Sequence, residues 1–166
     1  MRRSKPDVAD PRACEGVALD LLARREHSRR ELERKLGARG FAAETIGATL
    51  DALEESGELA AARFTESFIR ARVAKGHGPT RIRAELAERG IDREQAAELL
   101  GAAEIDWAAV ASSVRDKRFG ARRPTDFTER ARQARFLEYR GFDHSAVRAA
   151  LELDTTADAE ASDPPV

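Results

Sequence analysis

Residues able to hold a metal, move a proton or attack an electrophile are few in this chain: one cysteine, Cys14, and three histidines, His27, His77 and His144. A single thiol makes neither an internal disulfide nor a multi-cysteine metal site, and it fits a reducing compartment. Cys14 has no catalytic partner set around it and reads as a buried or incidental small residue. His27 and His77 each stand thirteen residues before a glycine, Gly40 and Gly90. A metal site would need these rings to converge without cysteines or clustered acids, so a turn or interface role is expected and no metal. Gly76-His77-Gly78-Pro79 has the look of a phosphate loop, but it lacks the Gly-Lys-Ser/Thr ending and a preceding strand, and it reads as a helix-helix turn. No Gly-x-Ser-x-Gly, His-Glu-x-x-His or paired-carboxylate pattern is present. Neither enzymatic activity nor a bound cofactor is expected.

What remains is positive charge, and its arrangement matters more than its sum. With 29 Lys and Arg against 30 Asp and Glu the formal charge is -1. From Arg24 to Arg39 there are seven bases against three acids, and from Arg63 to Arg89 again seven against three. Between Ala42 and Ala62 there are five acids and no base, whereas Arg115 to Arg140 carries nine bases and four acids. The stretch from Glu152 holds five acids and no base. Helical spacing lets Arg29-Glu33, Glu31-Lys35, Glu66-Arg70 and Arg81-Glu85 form ordinary surface pairs. Arg30 and Arg34 are like charges four apart, Arg72, Lys75 and Arg83 lack an acid at those offsets, and Arg118, Arg122 and Arg123 cluster in one loop. Unpaired like charge costs some stability, so a partner bearing phosphates or carboxylates accounts for it better than solubility does. From these basic runs as a whole, Arg24, Arg25, Arg30, Arg34, Arg72, Lys75, Arg81, Arg83, Arg118, Arg122 and Arg123 are the expected contact residues.

The elements that must carry these side chains follow from an internal repeat. Three segments align on a central glycine: ELERKLGARGFAAETIGATL, RIRAELAERGIDREQAAELL and RQARFLEYRGFDHSAVRAAL. In each, Arg-Gly precedes a bulky apolar residue: Arg39-Gly40-Phe41, Arg89-Gly90-Ile91 and Arg140-Gly141-Phe142. Leu36, Leu86 and Leu137 stand four residues before the glycine, and Leu50, Leu100 and Leu151 ten after it. Glycine is needed where a helix ends on a left-handed residue, and the apolar residue after it packs back on the last turn. One helix thus ends near each Arg-Gly step and another begins just beyond. Ser28-Arg29-Arg30-Glu31 has capping-box spacing, Pro79 suits a first helical position, and Pro124-Thr125-Asp126 opens a somewhat longer helix.

A further helical pattern lies upstream of each pair: Val17, Leu21 and Leu22; then Phe64, Phe68, Ile69 and Val73; then Ile105, Val110 and Val114 with Trp107. Trp107 and Tyr139 fall among apolar helical positions and are expected in the core. Aromatics make up 5% of the chain and hydrophobic residues 42%, which favours closely packed helices over a sandwich or barrel. The expectation is an all-α fold, an elongated array of three tandem three-helix repeats at 13–57, 58–103 and 104–153. Disordered segments are expected at 1–12 and, acidic and ending in Pro-Pro-Val, at 154–166. Arg2, Arg3 and Lys5 are followed by no apolar run, and no stretch reaches the roughly 18 apolar residues of a membrane span. A soluble cytoplasmic monomer is expected.

Several strings together resemble the RecX family of regulatory proteins. Leu21-Leu22-Ala23-Arg24-Arg25-Glu26-His27-Ser28-Arg29-Arg30-Glu31-Leu32, with Lys35-Leu36 and Gly40-Phe41, resembles its opening. Arg63-Phe64, Phe68, Arg72 and Gly76-His77-Gly78-Pro79-Thr80-Arg81-Ile82, through Glu85-Leu86 to Arg89-Gly90-Ile91, resemble its middle, and Arg135-Phe136-Leu137 with Arg140-Gly141-Phe142 its end. Ala60 and Ala61 depart from the acids usual there, and Gln133 replaces the apolar type of Leu32 and Ile82. The resemblance implies three tandem three-helix repeats and a modulator of the RecA recombinase, usually an inhibitor, in DNA repair, recombination and the SOS response. It implies binding along the groove of the RecA-DNA filament, limiting ATP hydrolysis and strand exchange, with single- or double-stranded DNA bound weakly. The alternative is an autonomous helical DNA-binding protein.

Overall fold

Each copy's leading helix stops where its glycine takes a backbone conformation that a side chain resists. Gly40, Gly90 and Gly141 have φ of 94°, 79° and 88°. The amides of Phe41, Ile91 and Phe142 donate five residues back, to the carbonyls of Leu36, Leu86 and Leu137 at 3.3, 3.1 and 3.2 Å. That is the wide turn of a Schellman cap, and each of these six apolar residues is buried. In this computed structural model, which describes residues 9–151, the described chain is all-α with no strand. Its order is α1 (Pro11–Leu22), α2 (Arg29–Gly37), α3 (Ala43–Glu55), α4 (Ala61–Ala74), α5 (Pro79–Glu88), α6 (Arg93–Ala102), α7 (Trp107–Phe119), α8 (Phe127–Tyr139) and α9 (His144–Leu151). The acidic segment expected to be disordered lies outside the described residues.

Helix starts are marked by side-chain oxygens. Ser28 accepts from the Glu31 amide, which is half of the expected capping box; Glu31's own carboxylate turns away to arginines. Asp10, Asp92, Asp106 and Asp126 cap α1, α6, α7 and α8 in the same way. With Asp10 as its cap and Pro11 in its first turn, α1 begins inside the stretch expected to be disordered to residue 12. Helix α8 runs 13 residues against 9 for α2, as Pro124-Thr125-Asp126 suggested.

The described residues fall into two compact units: one takes the chain up to Arg70 with Arg83–Ala103, the other Ala71–Ile82 with the chain from Glu104. In the first, α1, α2 and α3 close over Cys14, Ala18, Leu21, Leu32, Leu36, Phe41, Ile46, Leu50 and Leu53. Cys14 is fully buried and packs as a small apolar residue. In the second, Ala111, Leu137, Phe142, Ala146, Val147, Ala150 and Leu151 make the core, with Trp107 half-buried against it.

The compact units do not coincide with the three sequence copies, because the α4–α5 turn of the middle copy packs on the third. The Gly78 amide donates to the Arg140 carbonyl at 2.8 Å and the Thr80 amide to the Gly141 carbonyl at 3.1 Å. Open donors at the start of α5 thus meet open acceptors at the end of α8. A Cβ at Gly78 would lie closer than 3.0 Å to backbone atoms of Gly141 and Phe142, and one at Gly141 would lie 2.5 Å from the Arg81 Cβ. The Gly76-His77-Gly78 turn is therefore a backbone docking surface.

Tyr139 is not in the core: it is 80% exposed. Two positions beyond the fully buried Leu137 place it about 200° around α8, on the far side from the core. Gln133, in the buried register, is 2% exposed and donates to Glu129 at 3.0 Å. Arg115 is fully buried too; its guanidinium contacts Asp116 and reaches the Ala121 carbonyl at 3.3 Å.

His27 holds the α1–α2 turn. It is 2% exposed, its Nδ1 lies 2.9 Å from the Arg25 carbonyl and its Nε2 2.7 Å from the Lys35 Nζ. A carbonyl only accepts and an ammonium only donates, so the ring is neutral with its proton on Nδ1. Burial, then the nearby Arg25 and Lys35 charges, hold the imidazole below its ordinary value against the opposing pull of the carbonyl and Glu31.

Replacing Gly78 by Ala is expected to cost about 1–3 kcal/mol in urea unfolding, through overpacking against backbone, and Gly141→Ala to cost at least as much, its positive φ adding strain to the same overpacking. Gly101→Ala, in α6 with nothing within 4 Å, is expected to gain up to about 1 kcal/mol from helix propensity. Equal effects at the three glycines would contradict the docking turn. The unfolded chain protonates at His27 before the folded one does, so stability is expected to fall as pH drops below about 6.5. Urea midpoints between pH 7.5 and 5.5 measure that slope, and His27→Gln is expected to flatten it.

Candidate polyanion-binding surfaces

The contact residues expected from sequence divide between charges the fold has used and charges it leaves over. On α2 the division runs residue by residue. Arg29 leans onto α3, 2.8 Å from Asp51 and 2.7 Å from Glu54, with Glu33 at 3.1 Å. Burial works against its charge, but these carboxylates outweigh it and hold the guanidinium above its ordinary value. The acids that make the third helix of the first copy negative thus neutralise part of the second. Arg30 and Arg34 are exposed and make no ion pair or hydrogen bond among the described residues. They line a cleft of about 470 Å³ with Glu31, Glu33, Glu88 and Arg89. Glu33 there is already paired with Arg29, and Glu31 with Arg25 at 3.0 Å and Arg89 at 3.6 Å.

Two expected pairs do not form. Glu31 turns to Arg25 and Arg89, and Lys35 to His27, so the Glu31-Lys35 pair is absent. Burial, followed by the Arg25 charge, lowers the Lys35 ammonium below its ordinary value. Glu66 and Arg70 stay apart on the exposed face of α4. Arg25 also donates to the Glu26 carbonyl at 2.8 Å, so part of its hydrogen-bonding capacity is spent on the turn. Arg24 and Arg83 are exposed without a partner among the described residues.

In the second unit Lys75 and Arg118 come together. With Lys117 and Arg140 they rim a cleft of about 540 Å³ floored by Val110, Val114 and Phe136, with no acid in its lining. Arg140 donates to the Lys75 carbonyl at 3.1 Å and lies 5.1 Å from the Phe136 ring centre. Arg118 lies 5.9 Å from the Phe119 ring, which meets Phe136 edge-on at 5.2 Å. Arg122 is exposed and unpartnered among the described residues. Arg123, half-buried, donates to the Ala150 carbonyl at 2.5 Å and so serves the end of α9. Arg81, also half-buried, sits 6.0 Å from the exposed Tyr139 ring, and Arg72 is half-buried.

Sequence reasoning missed Lys117 and Arg140 as members of this cleft. Lys117 sits next to Arg118 and four residues after Ser113, on the helix stripe facing the cleft, so helical spacing was an available signal. Arg140 was absorbed into the Arg-Gly step, whose counterparts do serve helix ends: Arg39 donates to the Lys35 carbonyl at 2.9 Å and Arg89 to the Glu85 carbonyl at 2.6 Å. Among the described residues no three His, Cys, Asp or Glu gather as a metal site, and no helix is long and apolar enough to cross a membrane.

Comparison with known proteins places this architecture. Family models described as the first, second and third three-helix domains of RecX match residues 14–53, 62–100 and 104–151. Regulatory protein RecX of Pseudomonas entomophila is 52% identical over 132 residues, covering 80% of this chain and 85% of that protein. The protein of the same name from Halorhodospira halophila is 50% identical over 138 residues, covering 83% and 86%. The crystal structure of RecX from Lactobacillus salivarius superposes with a TM-score of 0.72 at 19% identity, over 87% of this chain and 97% of that one, a likeness of fold. Three matched domains in order, on a chain half identical to curated members, lead to one conclusion: the chain belongs to the RecX family of regulatory proteins.

Proposed function

We propose that this chain regulates a RecA recombinase as an inhibitor, binding the RecA-DNA filament along its groove and limiting ATP hydrolysis and strand exchange. The observation that carries the reading is the surplus of exposed cations in both compact units: Arg24, Arg30, Arg34 and Arg83 in one, Lys75, Arg118 and Arg122 in the other, none ion-paired among the described residues. Family membership supplies the name of the partner, and the cations supply the chemistry. A filament of protein and DNA offers phosphates and carboxylates at regular intervals, which suits separate basic sets on one chain. Direct DNA binding is then weak and salt-sensitive, since each phosphate neutralised releases counterions. The protein acts as a cytoplasmic monomer, without catalysis of its own.

Added at substoichiometric ratios, the purified protein is expected to lower RecA ATP hydrolysis on single-stranded DNA; an unchanged rate sinks the proposal. Charge reversal at Arg30, Arg34 and Arg83 together is expected to weaken inhibition about tenfold or more while leaving the thermal midpoint within about 2–4 °C, as these side chains hold nothing in the fold. Inhibition that survives the triple variant would clear them of the role. Fluorescence anisotropy without RecA separates the DNA-binding reading, for which tight, sequence-selective binding would speak.

A further inference from the structure

The cleft on α7 and α8 has an unusual charge balance. Lys75, Lys117, Arg118 and Arg140 stand around an apolar floor, no carboxylate lines it, and none pairs with these four cations among the described residues. Four like charges around one opening repel each other and favour an anionic occupant. Their floor of Val110, Val114 and Phe136 suits a ligand that carries apolar groups between its charges.

The chain itself supplies such a ligand. Residues 152–166 hold Glu152, Asp154, Asp158, Glu160 and Asp163 with no base, and Leu153 and several alanines lie among them. They follow directly on Leu151, the last residue of α9, which packs against α7 in the same unit. Fifteen residues span at most about 50 Å, against a helix diameter of about 10 Å, so the cleft is within reach. A short tether also sets a local concentration of roughly millimolar, so even a weak contact is well populated.

We propose that the acidic segment 152–166 of this chain occupies the α7–α8 cleft and must be displaced before a phosphate-bearing partner can use it. Bound there, its carboxylates neutralise the four cations and Leu153 or the alanines cover part of the apolar floor. The partner then competes with an internal polyanion, so this basic set is available only to a ligand of higher charge density. The regulatory consequence rests on the filament reading above; the docking itself does not.

The test uses the full chain with Ser162→Cys carrying a nitroxide label, Cys14 being fully buried and shielded from it. In nitrogen-15 spectra at about 50 mM salt, the Ser113 and Val114 amides, both at the cleft, are expected to lose at least half their intensity. That loss is expected to vanish in the Lys117→Glu, Arg118→Glu background and at about 500 mM salt, where the screening length falls to about 4 Å. Full intensity at low salt, or a loss that survives either the charge reversal or high salt, would overturn the proposal. Neither RecA nor DNA is present, so a failure of the filament reading leaves this readout intact.

Discussion

The second compact unit depends on one contact, the meeting of two glycine turns along their backbones. Helix ends carry polar groups with no partner inside the helix, and burying them unpaired would cost about 1–3 kcal/mol each. Here amides of Gly78 and Thr80 take carbonyls of Arg140 and Gly141. The approach is close enough to exclude a side chain at either glycine. This contact draws residues 71–82 into a unit with the third copy, and it sets Lys75 beside Arg140, whose guanidinium then reaches the Lys75 carbonyl. The basic rim of the cleft is thus built by a backbone contact before any ligand is considered.

Charge is organised by the same helices. Rotation by one residue on α2 separates Arg29, held by three carboxylates, from Arg30, held by none. A run of arginines in the sequence therefore mixes structural and surplus cations, and only the neighbouring helix decides which is which. Arg63 shows the structural kind: it clamps Glu26 at 2.9 Å and the carbonyls of Gly57 and Glu58 at 2.9 and 2.8 Å, fixing the turn into α4.

The repeat was legible because its signals are local. A positive-φ glycine followed by an apolar residue needs only its own helix to explain it, and all three copies keep that geometry. Cys14 in the core and the turn role of His27 were legible for similar reasons. Tyr139 was misplaced because an aromatic on an apolar-looking helix gives no sign of which side faces the core until the register of Leu137 is fixed. The Glu31-Lys35 pair failed because helical spacing proposes partners and tertiary neighbours outbid them: Arg25 and Arg89 for the acid, His27 for the base. Buried Arg115 and the regrouping of 71–82 are tertiary outcomes with no local signature at all.

A net charge of -1 gives this chain little long-range attraction for a polyanion. At physiological ionic strength screening acts over about 8 Å, so what a phosphate feels is the nearest few side chains and not the sum. Surplus cations lining one cleft, Arg30 with Arg34 or Lys75 with Lys117 and Arg118, are then the effective charges, while on α3 Asp51 and Glu54 are already engaged by Arg29. Two or three exposed cations give only a weak, salt-sensitive contact with an anion. Two sets joined in one chain gain by effective concentration only if the partner presents anions at both, which favours a repeating polymer over an isolated anion. Near-neutrality thus weakens the attraction of any polyanion at a distance and leaves the local cation sets as the charges that a nearby anion would meet.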